Sequence, residues 1–157
     1  MRTITILIAA LALLGTATVQ ADPATEKAIR DLIVSGNEYV KKNLKGEEGT
    51  VASEGSVEFW SSGGLLQNVP GDAPAQEFVS FSLEPKHITV VTLVPGQAAA
   101  EFYYSEGSFQ PKGSEAVPNY LTRVTEIYVK ENGKWKLRGA HWSPVQGGSG
   151  TKQTSID

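Results

Sequence analysis

Residues Asn119–Ser143 read NYLTRVTEIYVKENGKWKLRGAHWS. Two runs of alternating apolar and polar residues are joined by Asn132-Gly133. Asn-Gly between such runs is the strongest short hairpin signal, because a type I′ turn needs φ > 0 at both central residues. With Glu131 and Lys134 flanking the turn, an unbroken register sets Tyr128 against Leu137, Glu126 against Gly139, Val124 against His141 and Thr122 against Ser143. On the other face Val129 meets Lys136, Ile127 meets Arg138, Thr125 meets Ala140 and Arg123 meets Trp142. Arms of about 12 residues exceed the usual strand of roughly 5–6. The hairpin is therefore expected to be the spine of a curved sheet whose Trp135, Leu137 and Tyr128 face is covered by another element.

Upstream, Asp22-Pro23 is a helix start, since Asp caps and Pro fits the first turn. Apolar residues then fall at Ile29, Leu32, Ile33, Tyr39, Val40 and Leu44, the stripe of one long amphipathic helix. The run ends at Lys45-Gly46. The small-residue stretch to Gly55 admits a short second helix. Ser56–Ser61 alternates as a strand and Ser62-Gly63-Gly64 breaks it. Asn68–Gln76, with Pro70, Gly71, Asp72 and Pro74, reads as a loop. Further strands are expected at Glu77–Leu83, His87–Leu93 and Gln97–Ser105, followed by a loop holding Gly107, Pro111, Gly113 and Pro118. One long helix followed by about five mainly antiparallel strands makes an α+β domain.

Residues 1–21 read as a signal peptide: Arg2, the apolar run Ile4–Leu14, then Val19-Gln20-Ala21 with cleavage before Asp22. The apolar run is shorter than the ~20 residues of a spanning helix, so no membrane span is expected after cleavage. The domain is expected over 22–146, with 147–157 a disordered tail. Export with no cysteines suits a periplasm or the cell exterior and excludes disulfides and thiolate metal sites. A net charge of −3 excludes a nucleic-acid-binding footprint.

The chain carries no Walker A sequence, no GxGxxG opening a helix, no HExxH and no G-x-S-x-G. Its two histidines, His87 and His141, have no ligand partner at helical spacing, so neither a metal nor a cofactor is expected. In the unbroken register His141 shares the apolar face with Trp135, Leu137, Tyr128 and Val124, with Thr122 and Ser143 beside it. It is then either a general acid/base poised near neutral pH or a hydrogen-bonded core histidine. Glu58 and Trp60 share one face of the first strand. Tyr39, Trp60, Tyr103 or Tyr104, and Tyr120 are the candidates for an aromatic pocket, alongside His141 and Ser143.

Lys130-Glu131-Asn132-Gly133-Lys134-Trp135 followed by His141-x-Ser143 resembles the end of the nuclear transport factor 2-like superfamily, in its SnoaL-like and kinase-association-domain branches. Trp60-Ser61-Ser62-Gly63-Gly64 resembles the Gly-rich step after the first strand of such sequences. The resemblance covers about residues 24–145. It implies a cone-shaped, curved antiparallel sheet closed by the long N-terminal helix. The scaffold hosts both enzymes and assembly modules. The Asp base of the ketosteroid isomerase branch is absent, because Val57-Glu58 is followed by Phe59. A site of the scytalone dehydratase kind, which pairs histidines, could draw only on His87 and His141.

The expected function is a secreted or periplasmic domain that binds a small apolar or amphipathic ligand in an internal pocket, or serves in assembly, without a reaction of its own. The alternative is a SnoaL-like cyclase, isomerase or hydrolase using His141 as general acid/base, with Glu58 or Glu126 as partner. The hairpin face opposite His141, with Val129, Ile127, Thr125, Ala140 and Trp142 among Lys136, Arg138 and Arg123, has the composition of an interface. A two-fold homodimer is expected on it.

Overall fold

A computed structural model describes residues 21–145. The expected signal segment, apart from Ala21, and the expected tail 147–157 lie outside these residues. The element order is α1 (Pro23–Asn43), β1 (Ser56–Phe59), β2 (Gln67–Val69), β3 (Phe78–Val94), β4 (Ala98–Pro111), β5 (Val117–Glu131) and β6 (Lys134–Pro144). No second helix forms between Lys45 and Gly55. That stretch holds turns and two single bridges, Lys45 to Glu77 and Val51 to Leu137.

Asp22 caps α1. Its carboxylate accepts from the Ala24 N–H at 3.3 Å and from the Thr25 hydroxyl at 2.5 Å, which satisfies donors that the first turn leaves open. The same Thr25 hydroxyl accepts from the Gly96 N–H at 2.8 Å, tying the helix start to the β3–β4 turn. Leu44 closes the helix in the left-handed conformation. The buried stripe is narrow: Ile29 and Ile33 pack on Val90, Ala99 and Tyr128. Complete burial of Ile29 contributes about 1.5–3 kcal/mol.

The sheet runs β2-β1-β6-β5-β4-β3 and is mixed, not antiparallel throughout. The exception is β1, which lies parallel to β6, with Val57 opposite Gly139 and Phe59 opposite His141. The expected strands Glu77–Leu83 and His87–Leu93 are one strand, β3, bent at a register shift between Lys86 and Thr89 where His87 takes φ 56°. Pro85 is tolerated inside it because β3 is an edge strand with one side free of ladder bonds. Likewise β4 runs through the expected loop to Pro111, turning at Gly107 (φ 143°).

The opening hairpin forms with Asn132 at φ 50° and Gly133 at φ 79°. The register holds from Glu131↔Lys134 to Tyr128↔Leu137, then slips by one. Arg138 is the extra residue of a β-bulge. Beyond it Ile127 faces Gly139, Glu126 faces Ala140, Thr125 faces His141, Val124 faces Trp142 and Arg123 faces Ser143. The bulge coincides with a change of partner on the other edge of β6. Leu137 donates to the Thr50 carbonyl and its own carbonyl accepts from Ala52. Gly139 onward pairs with β1 instead. Arg138 spans the junction, donating to the Gly55 carbonyl at 3.3 Å and pairing with Glu54 at 3.6 Å. Because strand side chains alternate, a one-residue slip moves everything past it to the other face. Ala140 and Trp142 thus leave the outer face for the helix side, and His141 and Ser143 make the opposite exchange.

Candidate functional site

The cross-strand registers align five residues on the helix-side face, between Tyr128 and the open end of the sheet. Val90 pairs with Glu101, Glu101 with Glu126, Glu126 with Ala140, and Ala140 with Glu58. Three carboxyl groups therefore sit in one row, each at most 6% exposed and Glu101 fully buried. Tyr128 donates its hydroxyl to Glu126 Oε2 at 2.9 Å, and Trp60 donates its indole N–H to Glu58 Oε2 at 2.8 Å. Neither oxygen of Glu101 has a hydrogen-bond partner. Glu126 lies close enough to act on it, outside hydrogen-bond geometry.

Removing carboxylates from water disfavours their charged form. Burial pushes the Glu101 carboxyl up to about 11, with Glu126 adding to the shift and the Arg30 charge opposing it. Burial raises Glu126 as well, against the partial relief given by Glu101 and Tyr128. Tyr103 and Tyr128 are raised too, first by burial and then by the charges of Glu126 and Glu101. Glu101 therefore holds at neutral pH a proton that an ordinary carboxyl would have lost. Chemically it can donate hydrogen bonds, hold or pass a proton, or, once ionised, balance a cation.

Further buried polar atoms without partners are Ser56 Oγ, Thr92 Oγ1 and Thr122 Oγ1. By strand alternation Ser56 shares the face of Glu58, Thr92 that of Val90, and Thr122 that of Glu126. Buried polar groups are ordinarily hydrogen-bonded, so a set of orphans on one face calls for an occupant.

Of the residues singled out from sequence, Glu58, Glu126, Trp60 and Tyr103 meet on this face. Tyr120 lies towards its other end, donating to Ser61 Oγ at 2.9 Å and meeting the Phe109 ring edge-on. Tyr39 stands exposed on α1. His141 and Ser143 are on the outer face, where the His141 ring lies edge-on to Phe59 at 5.6 Å. There His141 joins Val57, Thr125, Ile127, Arg138 and Gly139 around an open groove of about 300 Å³. The two histidines do not combine into one site: His87 packs against Tyr104. Glu101 was not foreseen, although a single Glu within Ala98–Tyr104, in phase with Ala99 and Tyr103, is the signal that could have found it. Among the described residues no group of three or more His, Asp or Glu side chains is arranged to hold a metal ion. Among the same residues no helix is long and apolar enough to cross a membrane.

No family model and no curated protein matches the chain. Solved structures do. An NTF2-like protein of unknown function from Pseudomonas putida KT2440 aligns with a TM-score of 0.57 at 20% identity, over 82% of this chain and 93% of that one. A putative Ca/calmodulin-dependent kinase II association domain from Exiguobacterium sibiricum 255-15 aligns with a TM-score of 0.56 at 13% identity, over 82% and 98%. An uncharacterized protein with a cystatin-like fold from Caulobacter vibrioides gives 0.51 at 14% identity, over 77% and 89%. The one long helix, the curved six-stranded mixed sheet and these alignments agree on one scaffold: the chain has the fold of the nuclear transport factor 2-like superfamily.

Proposed function

We propose that the protein is an exported binding domain that holds a small amphipathic molecule on the helix-side face, against Glu58, Glu126 and Glu101. The observation that carries this reading is that both Glu101 oxygens in the row, and the Ser56 hydroxyl two residues from Glu58, are buried without partners. A closed core would leave such atoms costly, at about 1–3 kcal/mol each; a ligand contributing polar groups would satisfy them. Tyr103, Tyr128 and Trp60 supply the apolar surface such sites use beside a few polar groups. The enzymatic alternative loses its acid/base residue, since His141 lies across the sheet from the carboxyls.

Trp60 lies on Glu58 and serves as a reporter. Small aryl alcohols, amines and carboxylic acids are titrated against tryptophan fluorescence. At least one class is expected to change the signal saturably, and the Glu101→Leu/Glu126→Leu double variant, which makes the row apolar, is expected to lose that response. Silence from all three classes, or an unchanged response in the double variant, would overturn the reading.

Export is part of the same proposal, supported by Ile4–Leu14 and Val19-Gln20-Ala21. Mass spectrometry of the secreted fraction is expected to find a chain beginning at Asp22; an intact Met1 terminus there would contradict it. Pairing of two copies through the outer face is the third part. Val57, Phe59, Val91, Leu93, Phe102, Tyr104, Leu121 and Ile127 are large apolar residues that all stand exposed on that face. Single exposed apolar residues are ordinary, but a contiguous sheet of them marks an interaction surface.

A further inference from the structure

We propose that the molecule held at the helix-side row is a small organic primary ammonium compound, bound by Glu101 and Glu126 in exchange for a proton. This rests on the small-molecule reading above and adds the chemical class.

The charges facing the row come from every element packed around it. β1 contributes Glu58, β4 contributes Glu101 and Tyr103, and β5 contributes Glu126, Tyr128 and Tyr120; the one cation acting on Glu101 is Arg30 of α1. At the row β3 and β6 add Val90, Thr92, Ala140 and Trp142, none of which titrates. Three carboxyls against one exposed guanidinium make a site rich in acceptors and poor in cationic donors. Both Glu101 oxygens lack a donor, and the Ser56 hydroxyl, 2% exposed and two residues along β1 from Glu58, lacks a partner on the same face. That hydroxyl is an observation independent of the acidic cluster, and it points to a missing occupant. An ammonium group carries three N–H donors and no acceptor, which suits an acceptor-rich cluster. An aryl or alkyl body would lie against Trp60, Trp142 and Tyr103, where aromatic faces attract cations. At its Glu58 end the row meets Trp60, which is 48% exposed.

The exchange balances. One ammonium enters, one proton leaves Glu101 for solvent, and the net charge of the site is unchanged. Affinity for the cation then rises with pH for as long as the empty site holds its proton, by about tenfold per pH unit.

The probes are 2-phenylethylamine, 2-phenylethanol and 3-phenylpropanoate, matched in shape and differing in charge. Each is titrated calorimetrically into the full mature chain at about pH 6, 7 and 8, where the amine remains protonated. The amine is expected to bind at least tenfold more tightly than the alcohol at about pH 8, to gain close to tenfold per pH unit, and to release one proton. Glu101→Gln is expected to remove the pH slope and weaken the amine at least tenfold. Equal binding of all three probes, or amine binding without proton release, would overturn the ammonium assignment and leave the small-molecule reading standing. No binding by any probe would remove both.

Discussion

Glu101→Gln is expected to stabilise the folded protein at neutral and alkaline pH. The carboxyl titrates near 4.3 when the chain is unfolded, and burial raises it to about 11 in the fold. Because the folded-state value is the higher one, the folded protein holds a proton that the unfolded chain has released. Stability from this group is therefore fully present below about pH 4.3 and is lost steadily as pH rises towards the folded value. The slope is about 1.4 kcal/mol per pH unit, so at pH 7 the fold is about 3 kcal/mol weaker than at pH 4 on this account. Glutamine has nearly the same shape and no charge to form. Urea unfolding at pH 5, 7 and 9 is expected to show the wild type weakening with pH, and the variant gaining about 3 kcal/mol at pH 7 with a much flatter trend. A wild type that strengthens with pH, or a variant that weakens at pH 9, would mean that Glu101 is ionised and paired in the fold.

A second large effect is expected from Phe102→Glu. Phe102 lies on the outer face, with Thr89 and Thr125 opposite it on the neighbouring strands. One row away Val91, Ala100, Ile127, Gly139 and Val57 align across five strands. Arg138 borders this row beside Ile127 and Gly139, and Arg123 lies nearer the end of the face, a largely apolar patch with arginines among it, the composition of a protein interface. A two-fold axis over this face would bring each Phe102 near its counterpart patch, and the substitution would place two carboxylates in it. Removal of a central aromatic costs at least about 2 kcal/mol per hot spot; with two copies and added charge, dimer dissociation is expected to strengthen at least a hundredfold. Light scattering at tens of micromolar is expected to give twice the chain mass for the wild type and the chain mass for the variant, with unchanged circular dichroism. A wild-type monomer at that concentration would remove the dimer.

Local chemistry made much of the fold legible. Asp22-Pro23 and the Ile29, Leu32, Ile33 stripe mark α1, and Asn132-Gly133 marks the hairpin, because caps and tight turns act within a few residues. The bulge at Arg138 was not foreseen, although a glycine inside a strand pattern, here Gly139, is its usual sign. Its cause is non-local: β6 changes partners from Thr50–Ala52 to β1 at that point. That single slip carries His141 and Ser143 to the outer face and brings Trp142 to the inner one. The carboxyl row was half legible. Glu126 and Glu58 could be placed on strand faces by alternation, whereas their alignment with Glu101 depends on three separate strand registers.

Central to this account is a buried carboxyl row, with a proton held on Glu101, that a ligand can address. Carbon-13 NMR of the glutamate side-chain carboxyls, titrated from about pH 4 to 9 with and without 2-phenylethylamine, reads both properties at once. The account predicts one carboxyl, assigned to Glu101 by its loss in Glu101→Gln, that stays protonated throughout in the free protein and ionises when the amine is added. Glutamates that all titrate together near pH 4, with none responding to the amine, would contradict it.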